Sequence, residues 1–195
     1  MIPLDVLETY QPAVKSLQKN DMVFNEGETP NYYYQIKNGS IKMYNLTEDG
    51  KEFVQGYFND NESFGEPPLF GDYKYPAAAL CNAETKVYQL PKDKFFELLK
   101  AHPEIHLKFT KLLCKRMVYK AKIAREISIY PPEHRIISLL KHLKDNSKEE
   151  GTFEVNLTRQ QISELTGLRV ETVIRAIKKL EKEHKLTIKN RKVFI

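Results

Sequence analysis

The period of apolar positions changes along the chain, and each change predicts a different kind of element. In residues 1–19, Leu4, Val6, Leu7, Val14 and Leu17 sit at helical spacing and predict short helices. From 22 to about 90 the texture becomes short runs rich in Val, Ile, Tyr and Phe: Val23-Phe24, Tyr32 to Ile36, Ser40 to Leu46, Phe53 to Phe58, Ala77 to Cys81 and Lys86 to Leu90. Gly27, Asn38-Gly39, Asp49-Gly50, Asn59-Asp60-Asn61 and Gly71-Asp72 lie between them. Strands recurring every ~8–12 residues with such breaks predict an antiparallel sandwich or barrel. Lys37-Asn38-Gly39-Ser40 and Glu48-Asp49-Gly50-Lys51 read as hairpin turns, because Asn-Gly and Asp-Gly tolerate positive φ.

Helical spacing then returns. Pro91-Lys92-Asp93 ends the last strand and starts a helix carrying Phe95, Phe96, Leu98 and Leu99. Pro103 opens a long helix to about Ser128. Along it Ile105, Phe109, Leu112, Tyr119 and Ile123 follow a roughly 4–3 repeat that Arg116 interrupts, with Leu113, Met117, Ala124 and Ile127 beside it. Apolar residues on neighbouring faces let one helix pack on its own sheet and on a partner helix together. Tyr130-Pro131-Pro132 stops this helix and reads as a hinge. A helix near 133–144 follows, then a polar linker from Asp145 to Gly151 and an extended Thr152 to Asn156.

Residues 158–180 form two short amphipathic segments meeting at Thr166-Gly167-Leu168. Ile162, Leu165, Val173, Ile177 and Leu180 face one small core, while Arg169, Glu171, Thr172 and Arg175 point the other way. This pattern predicts a helix-turn-helix whose second helix reads base edges in a major groove. Thr158 with Gln161 three residues later predicts a capping box. Leu186 to Ile195 predicts two short strands around Asn190-Arg191, the wing of a winged helix.

Charge sharpens this picture. The net charge of +5 lies wholly in residues 131–195, where 14 lysines and arginines face 9 carboxylates; the first 130 residues balance. A basic module is the electrostatic footprint of nucleic-acid binding. No apolar run approaches the ~18 residues of a membrane span. The first ten residues lack a basic start and a continuous apolar core, so no signal peptide is expected and the location expected is cytoplasmic.

Several segments resemble the cyclic-AMP receptor / fumarate-nitrate regulator (Crp/Fnr) family, in the family's order. These are Phe24 to Glu28, the hairpin from Tyr34 to Met43, the Phe64-Gly65-Glu66 loop running to Phe70, and the motif from Leu157 to Arg175. The resemblance implies an α+β fold: an N-terminal antiparallel double-sheet β-roll, jelly-roll-like, over 1–101; a long dimerisation helix over 102–129; and a winged helix-turn-helix over 130–195. It implies a homodimeric transcription regulator, with double-stranded DNA and RNA polymerase as partners and a signal received at the roll. In the family, the positions of Glu171 and Arg175 read a G·C pair and its neighbour in a TGA-type core. Val170 stands where some members carry another base-reading arginine, and Ile174 departs from a common polar residue, leaving the outer bases open. Arg169, Thr172 and Lys178, with Arg191 and Lys192 of the wing, are candidate backbone contacts. The pair Glu171 and Arg175 also suits the chemistry, since arginine can bind guanine O6 and N7 and glutamate can accept from cytosine N4. A palindromic site with half-sites about one helical turn apart is expected.

The roll departs from the cyclic-nucleotide pattern. Gly65-Glu66 matches the family's ribose contact, but Tyr75-Pro76-Ala77-Ala78 stands where its nucleotide binders carry Arg-Ser/Thr-Ala for the phosphate. Lys120-Ala121 replaces the residues that meet the base. Gly65, Glu66, Ala77 and Lys120 therefore mark the candidate effector pocket. Losing a charge-assisted contact weakens binding by ~1.5–3 kcal/mol, so cyclic AMP is expected to bind weakly or not at all; an unknown small-molecule effector, or a constitutive regulator without one, is the expectation. Cys81 and Cys114 cannot supply the four thiolates of an iron–sulfur cluster. Histidine first occurs at His102, past the strands, so no haem or metal site is expected. A cupin-type barrel enzyme would need a metal or acid–base cluster in residues 22–90, which the sequence does not offer; no enzymatic activity is expected.

Overall fold

Two antiparallel sheets build the first of two units, Met1–Met117. One sheet holds β1 (Ala13–Leu17), β3 (Tyr32–Asn38), β6 (Ser63–Phe64) and β8 (Thr85–Pro91) in the order β1-β8-β3-β6. The other holds β2 (Met22–Phe24), β4 (Ile41–Leu46), β5 (Glu52–Phe58) and β7 (Ala78–Cys81) in the order β2-β7-β4-β5. The computed structural model describes residues 1–46, 48, 50, 52–147 and 151–195. Part of the Glu48–Lys51 turn and part of the 145–151 linker lie outside the described residues.

Alternating positions of both sheets meet in one buried cluster that includes Phe24, Tyr34, Ile36, Ile41, Phe64 and Val87. A second cluster forms where α1 (Leu4–Thr9), α3 (Lys92–Ala101) and the start of α4 (Pro103–Ile129) cover Tyr33, Tyr88 and Leu90. Tyr33 stacks on Phe95 at 4.6 Å between ring centres. Full burial of a phenylalanine contributes ~1.5–3 kcal/mol, so Phe95 and Phe109 in this cluster fix α3 and α4 to the roll.

Two local expectations change. Val14 and Leu17 lie on a strand, not a helix: residues 13–17 pair antiparallel with Gln89 back to Thr85. β1 is an edge strand with little burial, so it lacks the strict alternation that identifies half-buried strands. The Asn38-Gly39 turn joins β3 to β4, which belong to different sheets; it is a corner, not a hairpin. Gly39 has φ +113°, and a Cβ there would meet Thr85 Oγ1 at 2.5 Å and the Glu84 carbonyl oxygen at 2.6 Å. Two further short elements, β6 and α2 (Pro67–Gly71), occupy the Phe64–Phe70 segment.

The second unit, Val118–Ile195, contains the end of α4, α5 (Pro132–Ser147), β9 (Glu154–Val155), α6 (Arg159–Thr166), α7 (Val170–Lys182), β10 (Thr187–Lys189) and β11 (Lys192–Phe194). Its three-stranded antiparallel sheet has the order β10-β11-β9. Ile136, Leu139, Leu140, Ile162, Val173 and Ile177 form the centre of its core. Around the Tyr130-Pro131-Pro132 junction, Arg135 donates from Nε to the Tyr130 carbonyl at 2.9 Å and from Nη2 to the Ile127 carbonyl at 2.6 Å. A side chain from α5 thus satisfies one carbonyl of the last turn of α4 and the carbonyl just beyond it. The architecture is the expected one: a double-sheet roll, a long helix and a winged helix-turn-helix.

Candidate nucleic-acid interface

The helix-turn-helix is locked from within. Thr158 Oγ1 accepts from the Gln161 backbone N–H at 3.1 Å, and Gln161 Oε1 accepts from the Thr158 N–H at 2.8 Å, completing the capping box. Such a cap contributes ~1 kcal/mol. Gly167 takes the left-handed conformation that ends α6 (φ 67°). Buried Ser163 donates to the Leu168 carbonyl at 2.5 Å, and buried Thr166 donates to the Ile162 carbonyl at 2.6 Å. These bonds fix how α7 leaves the turn.

α7 divides cleanly between core and solvent. Val173, Ala176, Ile177 and Leu180 are buried. Glu171, Ile174, Arg175 and Lys178 are exposed, and Val170 and Thr172 are half-buried. Arg175 Nε donates to the Glu171 backbone carbonyl at 3.4 Å. Among the described residues no ion pair joins the two side chains. Arg169 is exposed at the N-cap of α7.

The wing supplies a second set of cations. Asn190 (φ 49°) and Arg191 (φ 66°) form the two-residue tip between β10 and β11, where Lys189 pairs with Lys192. Two positive φ values match the twist of a tight hairpin. Arg191 holds a backbone conformation that costs a non-glycine residue ~1 kcal/mol or more. Lys192 is exposed and ion-paired with Glu154 of β9. A groove of about 590 Å³ runs between α7 and the wing, and its margin carries Thr158, Arg159, Lys178, Arg191 and Lys192. Arg159 was not singled out from the sequence. Its signal was available: a cation in the first turn of a helix opposes the macrodipole and has no local folding benefit. Burial pushes its guanidinium below the ordinary arginine value. On the opposite side of the core, Lys179 donates to Glu133 at 2.8 Å; that hydrogen bond lowers the Glu133 carboxyl and raises the Lys179 ammonium.

In the roll, Glu66 is only 1% exposed and its carboxylate is already occupied. Arg116 of α4 donates from Nη1 to both Glu66 oxygens, at 2.9 and 3.0 Å, and from Nη2 to the Ser63 carbonyl at 2.8 Å. Its guanidinium also lies 5.2 Å from the Phe58 ring centre. The break that Arg116 makes in the apolar stripe was the sequence signal; its partner, 50 positions away, was not legible. Gly65 (φ +71°) approaches the Phe24 ring so closely that a Cβ would sit 2.8 Å from it. Tyr75 stacks on Phe24 at 3.7 Å, and Phe64 stacks on Tyr34 at 5.5 Å, so rings fill the space between the sheets. Burial raises the Tyr75 phenol, whose oxygen has no partner among the described residues. The Pro76 carbonyl accepts from Asn45 at 2.6 Å. Ala77 is buried, whereas Lys120 is exposed on the part of α4 that belongs to the second unit.

The long-helix residues separate similarly. Ile105 and Phe109 are buried in the first unit's own core and serve it. Leu112, Tyr119 and Ile123 are half-buried, and Tyr119 stacks on His142 at 3.7 Å. Leu107, Met117 and Val118 are the large apolar side chains that α4 exposes along its middle. Among the described residues no three His, Cys, Asp or Glu side chains cluster as a metal site requires, and no helix is long and apolar enough to cross a membrane.

Comparison with known proteins places these features in context. A family described as cyclic nucleotide-binding domain matches residues 14–102, and one described as Crp-like helix-turn-helix domain matches 134–195. The chain is similar to the fumarate and nitrate reduction regulatory protein of Vibrio cholerae, at 24% identity over 98% of this chain and 78% of that one. It is also similar to the transcriptional activator protein Anr of Pseudomonas aeruginosa, at 21% identity over 98% of this chain and 80% of that one. Among solved structures, a CooA mutant from Carboxydothermus hydrogenoformans matches with a TM-score of 0.82 at 16% identity, covering 98% of this chain and 85% of that one. FixK2 from Bradyrhizobium japonicum matches with a TM-score of 0.75 at 18% identity, covering 93% and 91%.

Proposed function

The chain belongs to the Crp/Fnr family of DNA-binding transcription regulators, and from that premise we propose that it acts as a homodimer on a palindromic site with a TGA-type half-site core. The observation that carries this reading is the division of α7: its folding contacts lie on Val173, Ala176, Ile177 and Leu180, while Glu171 and Arg175 stand exposed. Arg175 would bind guanine O6 and N7, and Glu171 would accept from cytosine N4. Val170 lies beside them in the first turn. Arg169, Thr172 and Lys178, with Arg159, Arg191 and Lys192 around the groove, would hold phosphates. Residues 1–101 serve as sensor, 102–129 as dimer helix and 130–195 as DNA reader; the exposed apolar residues of α4 support pairing there. RNA polymerase is the downstream partner, in the cytoplasm.

For the roll, we infer that cyclic AMP is not the signal. Tyr75 and Pro76 supply neither the cation nor the N–H donor that a cyclic phosphate needs. A ribose hydroxyl would also have to compete with Arg116 for Glu66. A different small molecule, or none, then sets the state of the dimer, and a true effector must bind more tightly when operator is present. The filled roll interior and the occupied Glu66 are the observations that support the alternative reading, a regulator without a ligand.

Selection from a random duplex library supplies the operator and tests the reading. Arg175→Ala should lose ~1–3 kcal/mol of affinity and relax preference at one base pair; an unchanged preference refutes the assignment. Calorimetry with cyclic AMP should show no binding tighter than ~10 μM, or roughly −7 kcal/mol; a tighter Kd refutes the account of the roll.

A further inference from the structure

The turn from α4 into α5 holds a buried carboxylate that its own helix does not need. Glu126, in the last turn of α4, is 6% exposed, and its Oε2 lies 3.1 Å from His134 Nε2 in the first turn of α5. Among the described residues that oxygen has no other partner. A carboxylate taken out of water is costly unless a charge answers it. The His134 ring also stacks on Tyr130 at 4.0 Å between ring centres, and an aromatic face attracts a cation. The other charges nearby are exposed or committed elsewhere. Arg125 donates to Tyr130 Oη at 2.6 Å and is exposed, so water screens its repulsion of a second cation. Arg135 is spent on the Tyr130 and Ile127 carbonyls, and Glu133 is taken by Lys179 of α7. The macrodipole of α5 opposes a cation in its first turn, but an exposed dipole end counts for less than a charge-assisted bond to a buried carboxylate.

Imidazole is the side chain that gains and loses its charge between about pH 5 and 8. Glu126 therefore faces a full cation in mild acid and a neutral ring in mild base. A charge-assisted hydrogen bond is about twice as strong as a neutral one. The junction is firmest while His134 is protonated, and that contribution fades as pH rises through the imidazole range. We propose that Glu126 and His134 form a proton-operated latch at the end of α4, and that its closure makes operator binding tighter in mild acid. This rests on the DNA-reading role of α7 and on pairing through α4. α7 is packed on α5 through Ile136, Leu139, Val173 and Ile177, so fixing α5 at the end of α4 fixes the reading helix as well. A junction fixed in advance gives up less freedom when two half-sites must be met at a set spacing.

The test uses the full chain and the operator selected from the library, at constant ionic strength. Anisotropy should show about tenfold tighter binding at about pH 6 than at about pH 8, the gain from turning the neutral bonds of two junctions into charge-assisted ones. His134→Gln keeps a donor that does not titrate, and Glu126→Gln removes the charge that the imidazole answers. Each should flatten the profile to within about threefold while keeping the base preference assigned to Arg175. Thermal midpoints of both variants control for folding. Calorimetry of the parent near neutral pH, in two buffers of different ionisation heat, should show net proton uptake on operator binding, and this needs no variant. A parent profile within threefold or rising with pH, a dependence that persists in either variant, or no proton uptake overturns the latch and leaves the reading by Arg175 standing. Absence of any sequence preference overturns both.

Discussion

Replacing Arg116 with alanine should destabilise the first unit far more than a surface substitution would. Glu66 is almost wholly buried, and Arg116 is the cation hydrogen-bonded to its carboxylate. Removing one partner of a buried pair leaves an uncompensated charge and costs ~3–5 kcal/mol. The variant also leaves the Ser63 carbonyl without its Arg116 donor and removes the guanidinium beside Phe58, adding a cost on the order of 1 kcal/mol. Urea unfolding at neutral pH, followed by tyrosine fluorescence, should show the midpoint of the first unit fall with little change in slope. The diagnostic step is the second substitution. Glu66→Gln in the Arg116→Ala background removes the stranded charge, so it should recover a large share of the loss, with coupling of ~1–3 kcal/mol across the cycle. A loss below ~1 kcal/mol for Arg116→Ala, or a double variant no more stable than the single one, would refute the view that this pair compensates a buried charge.

Gly39→Ala should cost ~2 kcal/mol or more, because positive φ and the closeness of the Glu84 carbonyl act together at the corner between sheets; a thermal melt within a degree of the parent would contradict this. Glu133 has a lowered folded-state value through its bond to Lys179, so its contribution is complete above the ordinary glutamate value of 4.5 and disappears as acid protonates it. Melting curves of Glu133→Gln and the parent should therefore diverge at neutral pH and converge in acid.

What could be read from the sequence follows the range of the forces involved. The helix-turn-helix was legible because its signals are local: the Thr158–Gln161 cap, the Gly167 turn and apolar residues three and four apart on α6 and α7. The strands of the roll were legible as runs, but their sheet membership was not. Asn38-Gly39 looks the same in a hairpin and in a corner, and only the partner strands decide between them. β1 was missed because an exposed edge strand has no buried face to impose a period. Ile105 and Phe109 fit a dimer seam by spacing, yet spacing cannot say which of two surfaces a helix face will meet. Glu66 and Arg116 illustrate the longest reach: each is conspicuous alone, and only the fold brings them within 2.9 Å.

The wing tip holds a different lesson. Glycine would relieve the backbone at residue 191, yet a guanidinium stands there in a left-handed conformation. If Arg191 holds a phosphate as proposed, selection for a sturdier hairpin and selection for grip on a polyanion pull this one codon in opposite directions. Relatives released from the need to bind should then drift toward glycine at this spot, and an arginine there would mark a wing still in use.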